Sequence, residues 1–142
     1  MGSVLVQDIA KKYLDVSFTP HQHPHLTQSP TTGFDCSGFV RFVLREAGYN
    51  LPPNLIHARD FFDNFGRFVP ESEVKVGDLL FFSKLGKMPS HVAIYADYGR
   101  VIHSSRLTGT VGYSYIEELY VKFPRVIEEG KWNSNPIGYK TY

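Results

Sequence analysis

The hydrophobic periodicity of this chain changes along its length, and that change limits the folds it can adopt. In the N-terminal third, apolar side chains recur at helical spacing, as at Val6, Ile9 and Tyr13. In the second half, short apolar runs are instead divided by turn signals such as Asp97-Tyr98-Gly99. Helices followed by strands predict an α+β domain.

Three helices are predicted before the pattern changes. The first covers Val6 to Leu14, with its charged residues on one face. The second is capped by Asp35, carries an apolar stripe and stops at Gly48. A short third helix is predicted from Ala58 to Phe65. Residues 15–34 contain three prolines and are expected to form a long loop, a kind of segment that is often functional.

The second half is expected to form an antiparallel sheet of about five strands. The predicted strands are Leu79 to Phe82, His91 to Ala96, Arg100 to Ser104, Val111 to Tyr115 and Val121 to Ile127. The last residues, from Gly130, are expected to form a C-terminal extension or a cover for a sheet edge, with Trp132 and Tyr139 as anchors. One domain is expected over all 142 residues.

The composition excludes several classes of partner. The net charge is +1 from 15 basic and 14 acidic residues, with no basic run, so nucleic acid is not an expected partner. No apolar run is long enough to cross a bilayer, and no membrane partner is expected. The N-terminus lacks the pattern of a signal peptide, so a secreted or wall-associated location would require a leader outside this sequence. A monomer is expected.

The chain has one cysteine, Cys36, which excludes an intramolecular disulfide. A lone cysteine is ordinarily a small buried hydrophobe. Cys36 is predicted to lie in the first turn of the second helix, where the backbone N–H groups and the helix dipole would lower its pKa. The same N–H groups could receive an oxyanion, and the small residues Ser37 and Gly38 would let a substrate carbonyl approach.

A base for this thiol is predicted from a hairpin. If residues 97–99 form a three-residue loop, Ile94 pairs with Ile102, and His91 and His103 become diagonal neighbours on one face. A two-residue loop would place the two histidines on opposite faces. The first register collects apolar residues on the other face and predicts a nucleophile, a base and an orienting residue.

Four segments resemble, in order, the motifs of NlpC-like cysteine peptidases. Residues 32–40, Thr-Gly-Phe-Asp-Cys-Ser-Gly-Phe-Val, resemble the nucleophile segment of that family. Residues 76–82 resemble its Gly-Asp-Leu strand, residues 91–95 its base strand, and residues 101–104 the strand of its third polar residue. The resemblance spans about positions 4 to 127.

The resemblance implies a reduced papain-like fold and hydrolysis of amide bonds in peptidoglycan stem peptides, without a metal or cofactor. By the family's roles, Cys36 would attack the carbonyl and His91 would take and return the proton. His103 would hold the imidazole. Asp35 would bind the free amine of a stem peptide.

The predicted rim of the site departs from the family pattern. Many members carry Tyr and a Trp-Gly-Gly-like stretch where this chain has Phe18-Thr19-Pro20-His21-Gln22-His23, and Pro-Arg-Ser or Pro-Arg-Thr where it has Pro53-Asn54-Leu55. Phe18, Asp35 and Ser37 are the predicted substrate-binding residues. Two alternatives stay open. One is the same chemistry on another amide substrate, as in a transferase or a toxin, and the other is a non-catalytic wall-binding or phage-tail module.

Three further histidines, His21, His23 and His25, alternate within the predicted loop. An extended chain would point them to one side, as a metal site requires. No cysteine or carboxylate pair accompanies them, so they are predicted to be solvated or to line the substrate cleft rather than to bind a metal.

Overall fold

The computed structural model describes residues 4–20, 28–83, 88–122 and 138–142 of the chain. Its helices are α1 (Val4–Lys11), α2 (Cys36–Glu46), α3 (Ala58–Asn64) and α4 (Ile116–Lys122), with a 3₁₀ turn at Glu71–Glu73. Its strands are β1 (Arg67–Phe68), β2 (Leu79–Phe82), β3 (His91–Tyr95), β4 (Arg100–Ser104), β5 (Val111–Tyr115) and β6 (Gly138–Thr141). None of the described helices is long and apolar enough to span a membrane.

The strands form one six-stranded sheet in the order β1-β6-β2-β3-β4-β5. Every neighbouring pair is antiparallel. The helices α1 and α2 pack together, and both contact β4, while α2 also contacts β3. The prediction of an α+β fold with an antiparallel sheet is confirmed, with six strands in place of about five.

Local sequence signals position α2. The Oδ1 atom of Asp35 accepts a hydrogen bond of 2.6 Å from the backbone N–H of Gly38, which caps the helix. At the other end Gly48 has a φ of +100°, a conformation that favours glycine and stops the helix. Helix α2 therefore begins at Cys36, as predicted.

The hairpin between β3 and β4 adopts the register that brings the two histidines together. Ile94 pairs with Ile102, and the N–H of Ala96 donates to the carbonyl of Arg100. The three loop residues between them include Tyr98 and Gly99, which both have positive φ. The three-residue loop is thus confirmed, and the two-residue alternative is wrong.

The sheet separates two apolar clusters. The larger cluster lies between the sheet and helices α1 and α2, and it includes Phe39 from α2 with Val92 and Ile102 from the sheet. The smaller cluster lies on the opposite face and includes Leu119 from α4 with Val101. Because side chains alternate along a strand, His91, His103 and Ser114 share the sheet face of the smaller cluster.

The prediction of a strand from Val121 to Ile127 is wrong for its first two residues. Val121 and Lys122 belong to helix α4, and residues 123–127 lie outside the described residues. The side chain of Glu118 accepts a hydrogen bond of 3.1 Å from the backbone N–H of Tyr115. This contact is half of a capping box and starts a helix directly after β5.

The C-terminal residues take part in the sheet. The expected edge cover from Gly130 lies outside the described residues up to position 137. Beyond it, β6 pairs with both β1 and β2, so it lies inside the sheet and does not cover an edge. Tyr139 on β6 pairs with Leu80 and packs against the smaller cluster, which makes it an anchor as predicted.

Candidate active site

A cavity of about 450 Å³ opens at the N-terminus of α2, beside the start of β3. Five of the six predicted site residues line it: Phe18, Asp35, Cys36, Ser37 and His91. The sixth, His103, lies behind His91 and is fully buried. The volume is within the range of small-molecule and peptide sites.

Cys36 is the first residue of α2 and is partly exposed to the cavity. Three backbone N–H groups face its sulfur, those of Val92, Ser37 and Cys36 itself. The contact with Val92 places the sulfur beside the strand that begins at His91. The nucleophile and the predicted base therefore line the same cavity.

Asp35 is held by a glutamine from the preceding loop. Its backbone N–H donates to Oε1 of Gln28 at 2.9 Å, and Nε2 of Gln28 donates to Oδ2 of Asp35 at 3.0 Å. Since Gly38 bonds to the other carboxylate oxygen, both oxygens of Asp35 accept a hydrogen bond within the protein. Asp35 is 4% exposed and still lines the cavity.

The small residues after Cys36 also make contacts that the sequence did not predict. A Cβ atom at Gly38 would lie 1.9 Å from Oε1 of Gln28, so glycine makes room for the glutamine. The hydroxyl of Ser37 donates to the carbonyl of Ile56 at 2.7 Å and so links α2 to the segment before α3. Ser37 still lines the cavity, as predicted.

The thiol is held in its neutral form. Burial raises the pKa of Cys36 to about 12, and the negative charge of Asp35 adds to the rise. The three N–H groups that face the sulfur lower the pKa but do not outweigh burial. The predicted lowering of this pKa is therefore wrong, because the prediction considered the helix N-terminus and neither burial nor the neighbouring carboxylate.

Three buried side chains form a hydrogen-bonded series behind the cavity, named here the histidine relay. Nε2 of His91 lies 2.6 Å from Nδ1 of His103. Nε2 of His103 lies 2.9 Å from Oγ of Ser114. The relay crosses β3, β4 and β5 and leaves Nδ1 of His91 as the ring nitrogen that is not bonded to His103. The predicted proximity of His91 and His103 is confirmed.

Both imidazoles are neutral at neutral pH. Burial and the neighbouring His103 lower the pKa of His91 well below its usual value. Burial lowers the pKa of His103 to about 4. A neutral imidazole has one N–H and one free lone pair, so each relay histidine can donate at one nitrogen and accept at the other.

Several residues of the site were not predicted from the sequence. Gln28 and Ser114 have no motif around them, and their roles appear only when the loop and the sheet are folded. Arg59 and Arg106 line the cavity, and the Arg106 guanidinium lies 5.3 Å from the ring centre of Phe18. His57 is the N-cap of α3 and also lines the cavity.

The structure offers no metal site within the ranges that it describes. No group of three or more histidine, cysteine or carboxylate side chains is placed there to hold an ion. His21, His23 and His25 lie outside the described residues.

Comparison with known proteins gives one consistent family. The model of the NlpC/P60 family matches residues 3–127. Gamma-DL-glutamyl hydrolase of Bacillus subtilis is 31% identical over 105 residues, which cover 70% of this chain and 24% of that protein. Peptidoglycan endopeptidase RipB of Mycobacterium tuberculosis is 36% identical over 88 residues, covering 62% of this chain and 34% of RipB. The chain thus spans about a quarter to a third of the length of these relatives.

Solved structures of the same family superpose on this chain. The NlpC/P60 domain of peptidoglycan hydrolase SagA gives a TM-score of 0.63 at 28% identity and covers 83% of this chain and 92% of that chain. RipD of Mycobacterium tuberculosis, a non-catalytic NlpC/p60 domain protein, gives a TM-score of 0.63 at 20% identity and covers 82% of this chain and 88% of that chain. At that identity the likeness to RipD concerns the fold alone.

Proposed function

The chain belongs to the NlpC/P60 family, and on that premise we propose that it is a cysteine hydrolase that cleaves an amide bond in peptidoglycan stem peptides. One observation carries the proposal. Cys36 and His91 line a single cavity, and the far nitrogen of His91 is held at 2.6 Å by His103. A nucleophile, a base and a group that orients the base are the arrangement that nucleophilic catalysis needs.

In the first step, His91 takes the thiol proton of Cys36 at Nδ1, and the sulfur attacks the substrate carbonyl. The pair passes from neutral thiol and imidazole to thiolate and imidazolium, and in a buried site the two new charges must stay paired with each other. The backbone N–H groups of Cys36 and Ser37 face the sulfur, and in this mechanism they stabilise the oxyanion of the tetrahedral intermediate. His91 then protonates the leaving amine as the C–N bond breaks.

In the second step, water hydrolyses the thioester on Cys36. His91, neutral again, takes a proton from the water as it attacks the carbonyl. The tetrahedral intermediate collapses, the C–S bond breaks, and the proton on His91 returns to the sulfur. The products are a new carboxylate, a new amine and the free enzyme.

The charges around the cavity support a stem peptide as the substrate. Asp35 presents a carboxylate to the cavity, and its negative charge would attract the free amine of the peptide. Arg59 and Arg106 present positive charge at the rim, where a carboxylate of the peptide would lie. The related proteins named above include a gamma-DL-glutamyl hydrolase and a peptidoglycan endopeptidase.

Mass spectrometry of muropeptides tests the proposal. We expect the parent protein to release new amines from purified peptidoglycan, and we expect Cys36→Ala to release none. The fragment masses identify the bond that is cleaved. Equal release by the two proteins would contradict the proposal, provided that circular dichroism shows both to be folded.

A second candidate is the same chemistry on an amide substrate outside the cell wall. It is favoured by the rim, where Phe18 brings no hydroxyl to the cavity and Arg106 covers its ring. For this candidate we expect an alkylating reagent to modify Cys36 at a rate that depends on His91, while peptidoglycan stays intact. Cys36 is the only cysteine, so no other thiol contributes to the alkylation signal. Cleavage of muropeptides by the parent would contradict this candidate.

A further inference from the structure

Ser114 is a buried polar residue that the two-step mechanism does not use. It lies on β5 and is 9% exposed, and its Oγ atom is 2.9 Å from Nε2 of His103. The sheet register explains this contact. His103 faces Gly112, which has no side chain, and Ser114 lies two residues further along the same strand. The serine hydroxyl therefore ends the histidine relay.

The relay admits two self-consistent arrangements of protons. In one, His91 donates from Nε2 to Nδ1 of His103, and His103 donates from Nε2 to Ser114. In the other, Ser114 donates to His103, His103 donates from Nδ1 to His91, and His91 carries its proton on Nδ1. In both arrangements each imidazole carries one N–H, so each ring is neutral.

Only the first arrangement leaves a lone pair on Nδ1 of His91, the ring nitrogen that is not bonded to His103. His91 can take a proton at Nδ1 only if that nitrogen carries a lone pair, which places the N–H on Nε2. Its Nε2–H then requires an acceptor at Nδ1 of His103, and the proton of His103 must lie on Nε2. That proton is buried, so it requires the oxygen of Ser114 as its acceptor.

We propose that Ser114 is a positioning residue that accepts the Nε2–H of His103 and thereby keeps His91 in the tautomer with a lone pair on Nδ1, the nitrogen that takes the proton of Cys36 in the proposed mechanism. The proposal rests on the proposed cysteine hydrolase chemistry. It assigns to a serine, acting through His103, part of the orienting role that the resemblance gave to His103 alone. The depressed pKa values of both histidines agree with the proposal, because both rings are then neutral at neutral pH. A neutral imidazole can carry its proton on either nitrogen, and Ser114 can determine which one.

Ser114→Ala removes the acceptor and is the central variant. A buried N–H without an acceptor is costly, so His103 should shift toward the tautomer with its proton on Nδ1. We expect kcat to fall about tenfold to a hundredfold, with KM little changed because Ser114 does not line the cavity. Ser114→Thr keeps the hydroxyl and should restore most of the rate.

Tyr113→Phe is the matched control. Tyr113 precedes Ser114 on β5, and its side chain packs against the larger cluster on the opposite face of the sheet, under the guanidinium of Arg100. The variant removes a hydroxyl from the same strand without touching the relay. We expect its kcat, its alkylation rate and its histidine spectra to match those of the parent.

Two readouts do not depend on the substrate, so they separate this proposal from the proposed function. Nitrogen-15 NMR of the imidazoles at neutral pH should show His103 with its proton on Nε2 in the parent, and on Nδ1 in Ser114→Ala. Alkylation of Cys36 at neutral pH should be slower in Ser114→Ala than in Tyr113→Phe. These measurements remain informative if the parent does not cleave muropeptides.

The parent spectrum alone can overturn the proposal, even if Ser114→Ala does not fold. A proton on Nδ1 of His103 in the parent would mean that Ser114 is a donor. Equal alkylation rates for Ser114→Ala and Tyr113→Phe, or failure of Ser114→Thr to recover activity while folded, would equally contradict it.

Discussion

The two halves of the candidate site are built in different ways. In the nucleophile half, residues 28–38, the helix cap is held by contacts that are short in sequence, since Asp35 bonds to Gln28 and Gly38, seven and three positions away. The histidine relay joins residues 12 and 11 positions apart on three strands. One half therefore depends on a local motif, and the other depends on the register of the sheet.

The two halves also differ in charge. The nucleophile half contains a fixed carboxylate, Asp35, which opposes ionisation of the neighbouring thiol. The relay contains no fixed charge, and burial keeps both of its rings neutral. The resting site thus pairs a neutral thiol with a neutral base, so proton transfer between them must accompany attack on the substrate.

The largest expected effect comes from removing the imidazole of His91, through which the histidine relay acts on Cys36. His91→Ala removes the proton acceptor while leaving Cys36, Asp35 and the helix N-terminus in place. Because the thiol pKa is high, little thiolate would form without the base, and we expect kcat to fall by about 10²- to 10⁴-fold. Steady-state kinetics on isolated muropeptides measures the change.

Alkylation of Cys36 at neutral pH provides an independent check on this variant. It should slow along with turnover, because the same proton transfer generates the thiolate. A His91→Ala protein that is folded and keeps more than a tenth of the parent kcat would show that the nucleophile half acts alone.

The comparison also explains what the sequence could predict. Helix α2, its Asp35 cap and its Gly48 stop follow from signals within a few residues, and all were predicted correctly. The proximity of His91 and His103 depended on the register of the β3–β4 hairpin. Only two loop lengths were considered, and the apolar pair Ile94 and Ile102 favoured the correct one. These features have local causes.

The features that were missed have distant or collective causes. The pKa of Cys36 depends on burial, which the sequence around residue 36 does not reveal. Gln28 lies in a loop whose fold brings it over Gly38, and Ser114 lies on a strand that meets His103 diagonally. Helix α4 was predicted as a strand at its C-terminal end because β-favouring residues such as Val121 outweighed the weaker capping signal of Glu118.

A smaller effect concerns the relay and the stability of the fold in acid. His103 is fully buried and its pKa is about 4, against a usual value of 6.5. Between these values the unfolded chain binds more protons than the folded one, so the free energy of unfolding falls as the pH drops from 6.5 to 4. His103 alone should account for a loss of about 3 kcal/mol. Urea unfolding at a series of pH values measures it.

The control for acid stability is His103→Asn. Asparagine removes the titrating ring and can still accept a hydrogen bond from His91 through its amide oxygen. We expect its unfolding free energy to depend less on pH between 6.5 and 4 than that of the parent. Parallel pH curves for the two proteins would contradict the assignment of this loss to the relay.

The smallest expected effect tests the nucleophile half by itself. In Asp35→Asn the negative charge beside the thiol is lost, so the pKa of Cys36 should fall. Asparagine caps a helix about as well as aspartate. Its amide nitrogen, however, would face Nε2 of Gln28, and because both groups are donors the hydrogen bond between these two side chains would be lost. We therefore expect the free energy of unfolding to drop by about 1 kcal/mol.

Gln28→Ala is the matched variant for this change. It removes both contacts of the glutamine and keeps the charge of Asp35, so stability should fall by a similar amount without a fall in the thiol pKa. The rate of alkylation of Cys36 as a function of pH separates the two variants. The pH at which the thiol becomes reactive should move down only in Asp35→Asn. If it moves in neither variant, the carboxylate does not act on the sulfur, and burial alone keeps the thiol neutral.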